Sequence, residues 1–340
     1  MARTASLLKS RLSFGFGTIL TVATVLISGC GGGPGADVGD GGVQRQFLSL
    51  GTAPPGGAFY PVGGALSEVL NQAKSDAGWE VNSEATKGSQ ENIRRLASGD
   101  LDLALSNSAI TYFAVRGTEG WEQAYDVKAV MTLAPNVGMF ITPKSSGVKT
   151  IQDLVGKRVV IGPAGAGFEY FVRPLLAAHE VSYDDFTVLN NTQAGAVDML
   201  ADGSAAAAFL GGAVPTASIA QAASSQDIFF VPFSEEAKAT ALERYPFFLP
   251  ATIPADSYRG QSEVFEGLAV GSMHLITRAD ASDDLVYEVT KSIYENREKV
   301  VERHAAGRAI QPGVVVRDTG TEFHAGAIRF YREIGIWPEE

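Results

Sequence analysis

The sequence predicts an α/β protein in which one compact domain is inserted into another. Two observations carry this. From Phe47 onward, short apolar runs alternate with glycine-rich turns and amphipathic segments, the pattern of parallel strands joined by helices. These units fall into two clusters separated by the polar turn Pro143-Lys-Ser-Ser-Gly-Val148, a crossover signal, and a later apolar segment leads back to the first cluster. Such an arrangement implies two crossing strands and a cleft between lobes, where small ligands bind. The expected boundaries are residues 47–142 with 236–340 for lobe I, and 143–235 for lobe II.

In the first cluster, 47–51 reads as a strand and 62–73 as a helix, with Leu66, Val69, Leu70 and Ala73 at helical spacing. The unit then repeats as strand 80–84, helix 89–98 with Ile93 and Leu96 inward, and strand 101–106. Residues 127–133 and 139–142 are two further apolar runs. In the second cluster, strands at 158–161, 186–189 and 205–210 alternate with helices at 168–179 and 194–200, and 228–231 closes the domain. The segment from Ala251 to Ile276 returns the chain to the first domain. Two helices end it: 283–303, with Leu285, Val289, Ile293 and Val300 on one face, and 322–334.

The chain has 340 residues, 45% hydrophobic and 19% charged, enough to bury substantial cores, which excludes overall disorder. Its 27 basic and 38 acidic residues give a net charge of −11. A surface of that sign does not neutralise phosphates, so nucleic acid is not an expected partner. The lone cysteine, Cys30, excludes an internal disulfide framework and a multi-thiolate metal site.

The first 29 residues read as an export signal. Arg3, Lys9 and Arg11 form a positive stretch, Ile19 to Ile27 is a short apolar run below the roughly 20 residues of a membrane span, and small residues follow. Ile27-Ser-Gly-Cys30 resembles the bacterial lipoprotein box, which implies a lipid on Cys30. Removing the signal leaves 24 basic residues against the same 38 acidic ones, a net charge of −14. Residues 30–46 are a glycine-rich tether that would hold the folded part near a membrane.

No catalytic pattern emerges. His179, His274, His304 and His324 are well separated, and none forms an i, i+4 pair with another histidine, so no helical metal site is expected. There is no G-x-S-x-G elbow and no phosphate-binding P-loop, and in GPAGAGFEY a tyrosine, Tyr170, replaces the third glycine of a dinucleotide fingerprint. Asp184-Asp185 and Asp283-Asp284 fall at helix starts, where capping accounts for them. The expectation is a protein without cofactor, metal or catalytic residues. What remains is a set of glycine-rich turns leading from strands into helices, at 56–61, 88–90 and 165–168, whose backbone N–H groups would suit a carboxylate if they face one cleft.

Six stretches in order, LGTAPPGGAFYPVGGALSEVLN, ATKGSQENIRRLASGDLDLALSNS, DLVGKRVVIGPAGAGFE, DGSAAAAFLGGAVPTASI, RYPFFLPATIPADSYRGQ and DLVYEVTKSIYEN, resemble the TAXI family of solute-binding proteins of TRAP transporters. The resemblance implies a two-lobed, type II periplasmic-binding fold with a hinge. It implies a monomer, lipid-anchored on the periplasmic side of a bacterial envelope, delivering a small carboxylate to a TRAP-type permease. The ligand would be a glutamate-like amino acid, 2-oxoglutarate or another dicarboxylate.

Carried over residue by residue, the resemblance places Thr52, Gly57, Phe59 and Tyr60 in a first ligand loop, although Tyr60 fits a core position equally well. Lys87, Ser89 and Asn92 follow at a second turn, where Lys87 departs from an expected glycine and fits either the cleft edge or a solvated surface. Gly165, Ala166, Gly167 and Phe168 form a third, in which Ala166 and Phe168 replace family hydroxyls and make the wall more apolar. Gly211 and Gly212 complete the set. Two other classes stay open: a cell-envelope lipoprotein signalling ligand to a receptor, and a cleft enzyme.

Overall fold

The first strand, β1 (Gln46–Gly51), shows the strand logic of the whole sheet: Leu48 and Leu50 alternate inward and are 1% and 0% exposed. It leads into helix α1 (Phe59–Gln72), whose Leu66, Val69 and Leu70 are fully buried against the sheet. The structure is a computed structural model and describes residues 46–73 and 78–338. The export signal, the tether and Cys30 lie outside the described residues, apart from Gln46. After β2 (Trp79–Glu84) come α2 (Ser89–Ser98), β3 (Leu103–Asn107) and α3 (Ser108–Ala114). Strands β1, β2 and β3 pair in parallel, as the alternating pattern predicts.

The long strand β4 (Val127–Pro143) follows, then β5 (Arg158–Val160), α4 (Glu169–Ala177), β6 (Thr187–Leu189), α5 (Gln193–Ala201), β7 (Ala207–Gly212), α6 (Ala217–Ser225) and β8 (Ile228–Val231). Helix α7 (Glu235–Arg244) and strand β9 (Phe248–Ile253) lead to the second long strand, β10 (Phe265–Arg278). Helices α8 (Asp283–Glu295), α9 (Arg297–Arg303), α10 (Pro312–Val315) and α11 (Ala325–Glu333) close the chain.

The sheet order repeats itself. In one half it runs β2-β1-β3-β10-β4, and in the other β6-β5-β7-β4-β8, three parallel strands followed in each by an antiparallel crossing strand. The two lobes share β4 and β10, which pair with each other along their length. The turn at 143–148, read from the sequence as the crossover, lies beyond the point where β4 has joined β7 and β8.

Helices α3, α6 and α7 form where the sequence reading placed no element, and two sequence expectations change in the structure. The apolar runs 127–133 and 139–142 form one strand: Pro135, which lacks an N–H, is accommodated where the β4–β10 register shifts. The helix expected at 283–303 breaks at Asn296, whose side-chain amide donates to the Ser292 carbonyl oxygen at 2.9 Å and so competes with the helical ladder.

Three apolar clusters flank the sheet. One packs α1, α8 and α11 on lobe I, and another packs α5 and α6 on lobe II. The third runs across both lobes, from Ile93 and Phe113 to Tyr170 and Phe209. Among the described residues no helix is long and apolar enough to cross a membrane.

Candidate functional site

The C-terminal ends of the parallel strands of both lobes face each other, and the loops leaving them enclose a cavity of about 80 Å³. One water needs roughly 10–15 Å³ by the same measure, so the space suits a small molecule. Sites outside the carboxyl ends of parallel strands follow from α/β construction, because the following helices present their N-termini there. Here α1, α2 and α4 begin at Ala58, Gly88 and Phe168, all three in the cavity wall. None of these three helices has a side-chain cap; the Gln90 N–H donates to the Ala166 carbonyl oxygen at 3.4 Å and the Tyr170 N–H to the Gly167 carbonyl oxygen at 3.1 Å, and the other first-turn N–H groups, such as those of Ser89 and Glu169, are left for a ligand. In contrast α3 and α5 are capped by Asn107 and Thr192.

Of the residues singled out from the sequence, Gly57, Phe59, Lys87, Ser89, Ala166, Phe168, Gly211 and Gly212 line the cavity. Lys87 is exposed, has no ion-pair partner among the described residues, and is the one charged side chain in the lining. A Cβ on Gly165 would come within 4.0 Å of the Lys87 Cδ, so the lysine stem extends toward the loop of the opposite lobe. Ser89 accepts the Asn107 N–H at 2.9 Å through Oγ, and its hydroxyl proton remains available. Gly211 is required sterically: a Cβ there would sit 2.7 Å from the Val137 carbonyl oxygen.

The structure places the other sequence-selected residues elsewhere. Thr52 is 1% exposed and donates from Oγ1 to the Glu84 carbonyl oxygen at 2.7 Å, tying the ends of β1 and β2 together. Asn92 is fully buried below the second turn, where its amide donates to the carbonyl oxygens of Thr52 (2.7 Å) and Leu105 (2.8 Å). Tyr60 is 46% exposed on the outer side of α1, neither core nor cavity wall. Gly165 and Gly167 shape the third loop through positive φ angles of 78° and 93° without lining the cavity.

Several wall residues escaped sequence reasoning. Phe168 was expected, but Phe171 and Phe209 join it in one aromatic wall, with ring centroids 5.2 to 6.4 Å apart. Asn107 accepts the Ala109 N–H at 2.8 Å and donates to the Val270 carbonyl oxygen at 3.0 Å. Its position after an apolar strand is a capping signal that was legible. Gln193 clamps both backbone groups of Gly211, donating at 2.9 Å and accepting at 3.1 Å. Asn136, in the middle of β4, has no sequence signal at all.

The lobes touch across the cleft mouth. The Gln90 side-chain amide donates to the Tyr170 hydroxyl at 3.1 Å, and burial pushes that phenol's pKa up. The Tyr170 ring stacks on Trp121 at 5.6 Å and on Phe113 at 5.9 Å. The histidines serve the scaffold. His179 accepts the Ser234 N–H, and His304 and His324 cap helical turns. Among the described residues no group of His, Cys, Asp and Glu is placed to hold a metal ion.

Two lobes built on one repeated strand order, joined by two crossing strands around a cavity, define the type II periplasmic binding-protein fold. The chain belongs to the NMT1-like family, whose sequence pattern matches residues 50–335. Solved structures share the fold. The alkanesulfonate-binding protein SsuA from Xanthomonas axonopodis pv. citri, bound to MOPS, aligns with a TM-score of 0.50 and 16% identity over 86% of this chain and 80% of that one. PhnD1 from Prochlorococcus marinus, in complex with methylphosphonate, aligns with a TM-score of 0.52 and 11% identity over 85% and 95%. A binding-protein component of an ABC phosphonate transporter from Pseudomonas aeruginosa gives 0.51 and 12% over 76% and 78%.

Proposed function

We propose that this chain is an extracytoplasmic solute-binding protein that encloses a small organic anion, a carboxylate, and delivers it to a membrane permease of the TRAP type. The observation that carries the reading is the cavity wall, which among the described residues holds one cation, Lys87, three helix N-termini without a side-chain cap, an aromatic side, and no carboxylate. A carboxylate ligand would take its charge compensation from Lys87 and the N–H groups. An amino acid would leave its ammonium without an anionic partner, so within the carboxylates this wall favours organic acids over glutamate-like ligands. The permease type rests on the six sequence stretches that resemble the TAXI family.

A second reading draws on the fold neighbours, whose bound ligands are a sulfonate buffer and a phosphonate and one of which is a component of an ABC transporter. Alkanesulfonates and phosphonates present the same anionic head to the same donors. A thermal-shift screen of carboxylates, 2-oxo acids, amino acids, sulfonates and phosphonates separates these readings. A site-specific ligand at a hundredfold excess over its Kd stabilises the fold by about 2.7 kcal/mol. Protein shown to be ligand-free that responds to none of these anions would overturn both. Recovery of the bound solute unchanged argues for binding over turnover. For the anchor, mass spectrometry of the membrane fraction should find a lipid-modified N-terminus at Cys30, absent in Cys30→Ala; an unmodified N-terminus elsewhere removes the anchor from the proposal.

A further inference from the structure

Asn136 stands where the two lobes are joined. Its neighbours in β4, Pro135 and Val137, pair with Ser272 and Ala269 of β10, so two residues of β10, Val270 and Gly271, oppose Asn136 alone. This is a β-bulge, the device that re-aims a side chain beside a binding site. Gly271 has a φ of 100°, and the Val270 carbonyl oxygen is held by the Asn107 side chain at 3.0 Å, so the bulge is fixed from both sides. The result is a side chain that lines the cavity while being only 5% exposed. Neither its Nδ2 nor its Oδ1 has a hydrogen-bond partner among the described residues. Buried amides are almost always paired, so one that is unpaired at both atoms in a residue of the cavity wall calls for a partner, and the adjoining cavity is where a ligand could bring one.

We propose that Asn136 is the specificity-determining residue of the cavity, and that it reads a neutral group able both to donate and to accept a hydrogen bond, a hydroxyl, on a ligand whose single anionic head is held by Lys87. The inference rests on the anion reading above and narrows it to hydroxy acids. A second carboxylate would need a second cation, and among the described residues the wall holds one. An ammonium would need an anionic acceptor, and among the described residues the wall holds none. A hydroxyl answers both halves of the Asn136 amide with no charge to compensate. A site built around a ligand hydroxyl rejects the analogue that lacks it, because its own polar group is then left unpaired.

The test uses matched probes on ligand-free protein: lactate against propionate, 2-hydroxyisovalerate against isovalerate, and 2-hydroxyethanesulfonate against ethanesulfonate, with succinate and glutamate alongside, titrated calorimetrically. The wild type should bind the better hydroxy acid at least tenfold more tightly than its deoxy partner, and more tightly than succinate or glutamate. In Asn136→Leu, and in the smaller Asn136→Ala, that preference should shrink to within twofold while the deoxy acid binds as before. The ligand-free Tm of Asn136→Leu should not fall, since no bond within the protein is removed. Equal binding of hydroxy and deoxy probes by the wild type, retention of the preference in both variants, or a lowered Tm in Asn136→Leu with the preference intact would each overturn this inference and leave anion binding standing. Failure of every probe to bind would overturn it together with the anion reading.

Discussion

Asn92 and Asn136 are both asparagines buried beside the same cavity, and they are handled in opposite ways. Asn92, in the first turn of α2, is fully buried, and its Nδ2 bridges the carbonyl oxygens of Thr52, just past β1, and of Leu105, in the middle of β3, while its Oδ1 has no partner among the described residues. Asn136, in β4, is 5% exposed, and neither atom of its amide has a hydrogen-bond partner among the described residues. The first shows how a polar side chain closes a fold, by satisfying backbone groups that strand ends leave open. The second leaves its hydrogen-bonding capacity unused in the cavity wall. The contrast separates buried polarity that holds the scaffold from buried polarity that a ligand can use.

The largest effect that would break this contrast is expected at Asn92. Asn92→Leu removes both bridging donors and leaves the Leu105 carbonyl oxygen without its side-chain bond, so stability should fall by about 3 kcal/mol. Urea unfolding of ligand-free protein checks this, and a loss under 1 kcal/mol would remove Asn92 from the scaffold class.

His274 extends the comparison to a group that can change its charge. It is fully buried on β10, its Nε2 lies 2.8 Å from the Thr111 hydroxyl, and burial pushes its pKa down to about 3. The folded state therefore holds it neutral, whereas the unfolded chain takes up a proton below about pH 6.5. Its contribution is complete above that pH and is lost as pH falls toward 3, about 2 kcal/mol of it by pH 5. Unfolding measured between pH 7.5 and 5 should show this slope, and His274→Gln should flatten it; an unchanged slope in the variant would assign the acid sensitivity to other groups.

At the cavity mouth, Lys87→Ala should weaken binding of the best anion by tenfold or more, with little change in stability. If the lysine is only a solvated surface charge, the effect should be within twofold and vanish at high salt. Calorimetric titration at two salt concentrations decides between these outcomes. The smallest effect is expected across the cleft. Tyr170→Phe loses the acceptor for the Gln90 amide while keeping the ring stacks on Trp121 and Phe113, and should cost about 1 kcal/mol of stability. A loss of 3 kcal/mol would show that the hydroxyl, and not the stacked rings, holds the lobes together.

Much of the fold was legible because its signals are local. The apolar periodicity of α2 and the three-residue apolar core of β3 follow from residues adjacent in the chain. The union of two apolar runs into β4 was not legible, since Pro135 reads as a breaker until β10 supplies a bulge opposite it. The site was legible in part for the same reason. Lys87, Ser89, Ala166 and Phe168 lie in glycine-rich turns that announce themselves, and they do line the cavity. Thr52 and Asn92 carry the same kind of side chain in the same motifs, yet they point into the scaffold.

The sequence by itself determined the α/β class, many of the strands and helices in their order, though not α3, α6 or α7, and the turns that border the cavity. Each is a consequence of periodicity, of glycine at positive φ, or of capping within a few residues. Only the tertiary structure decided which polar side chains remain available. The Asn92 amide is taken by carbonyls brought to it by β1 and β3, and Asn136, opposite a bulge in β10 more than 130 residues away in the chain, sits in the cavity wall with its amide unpartnered among the described residues. Hydrogen-bond partners are assigned by the pairing of distant strands, and no local pattern encodes that pairing.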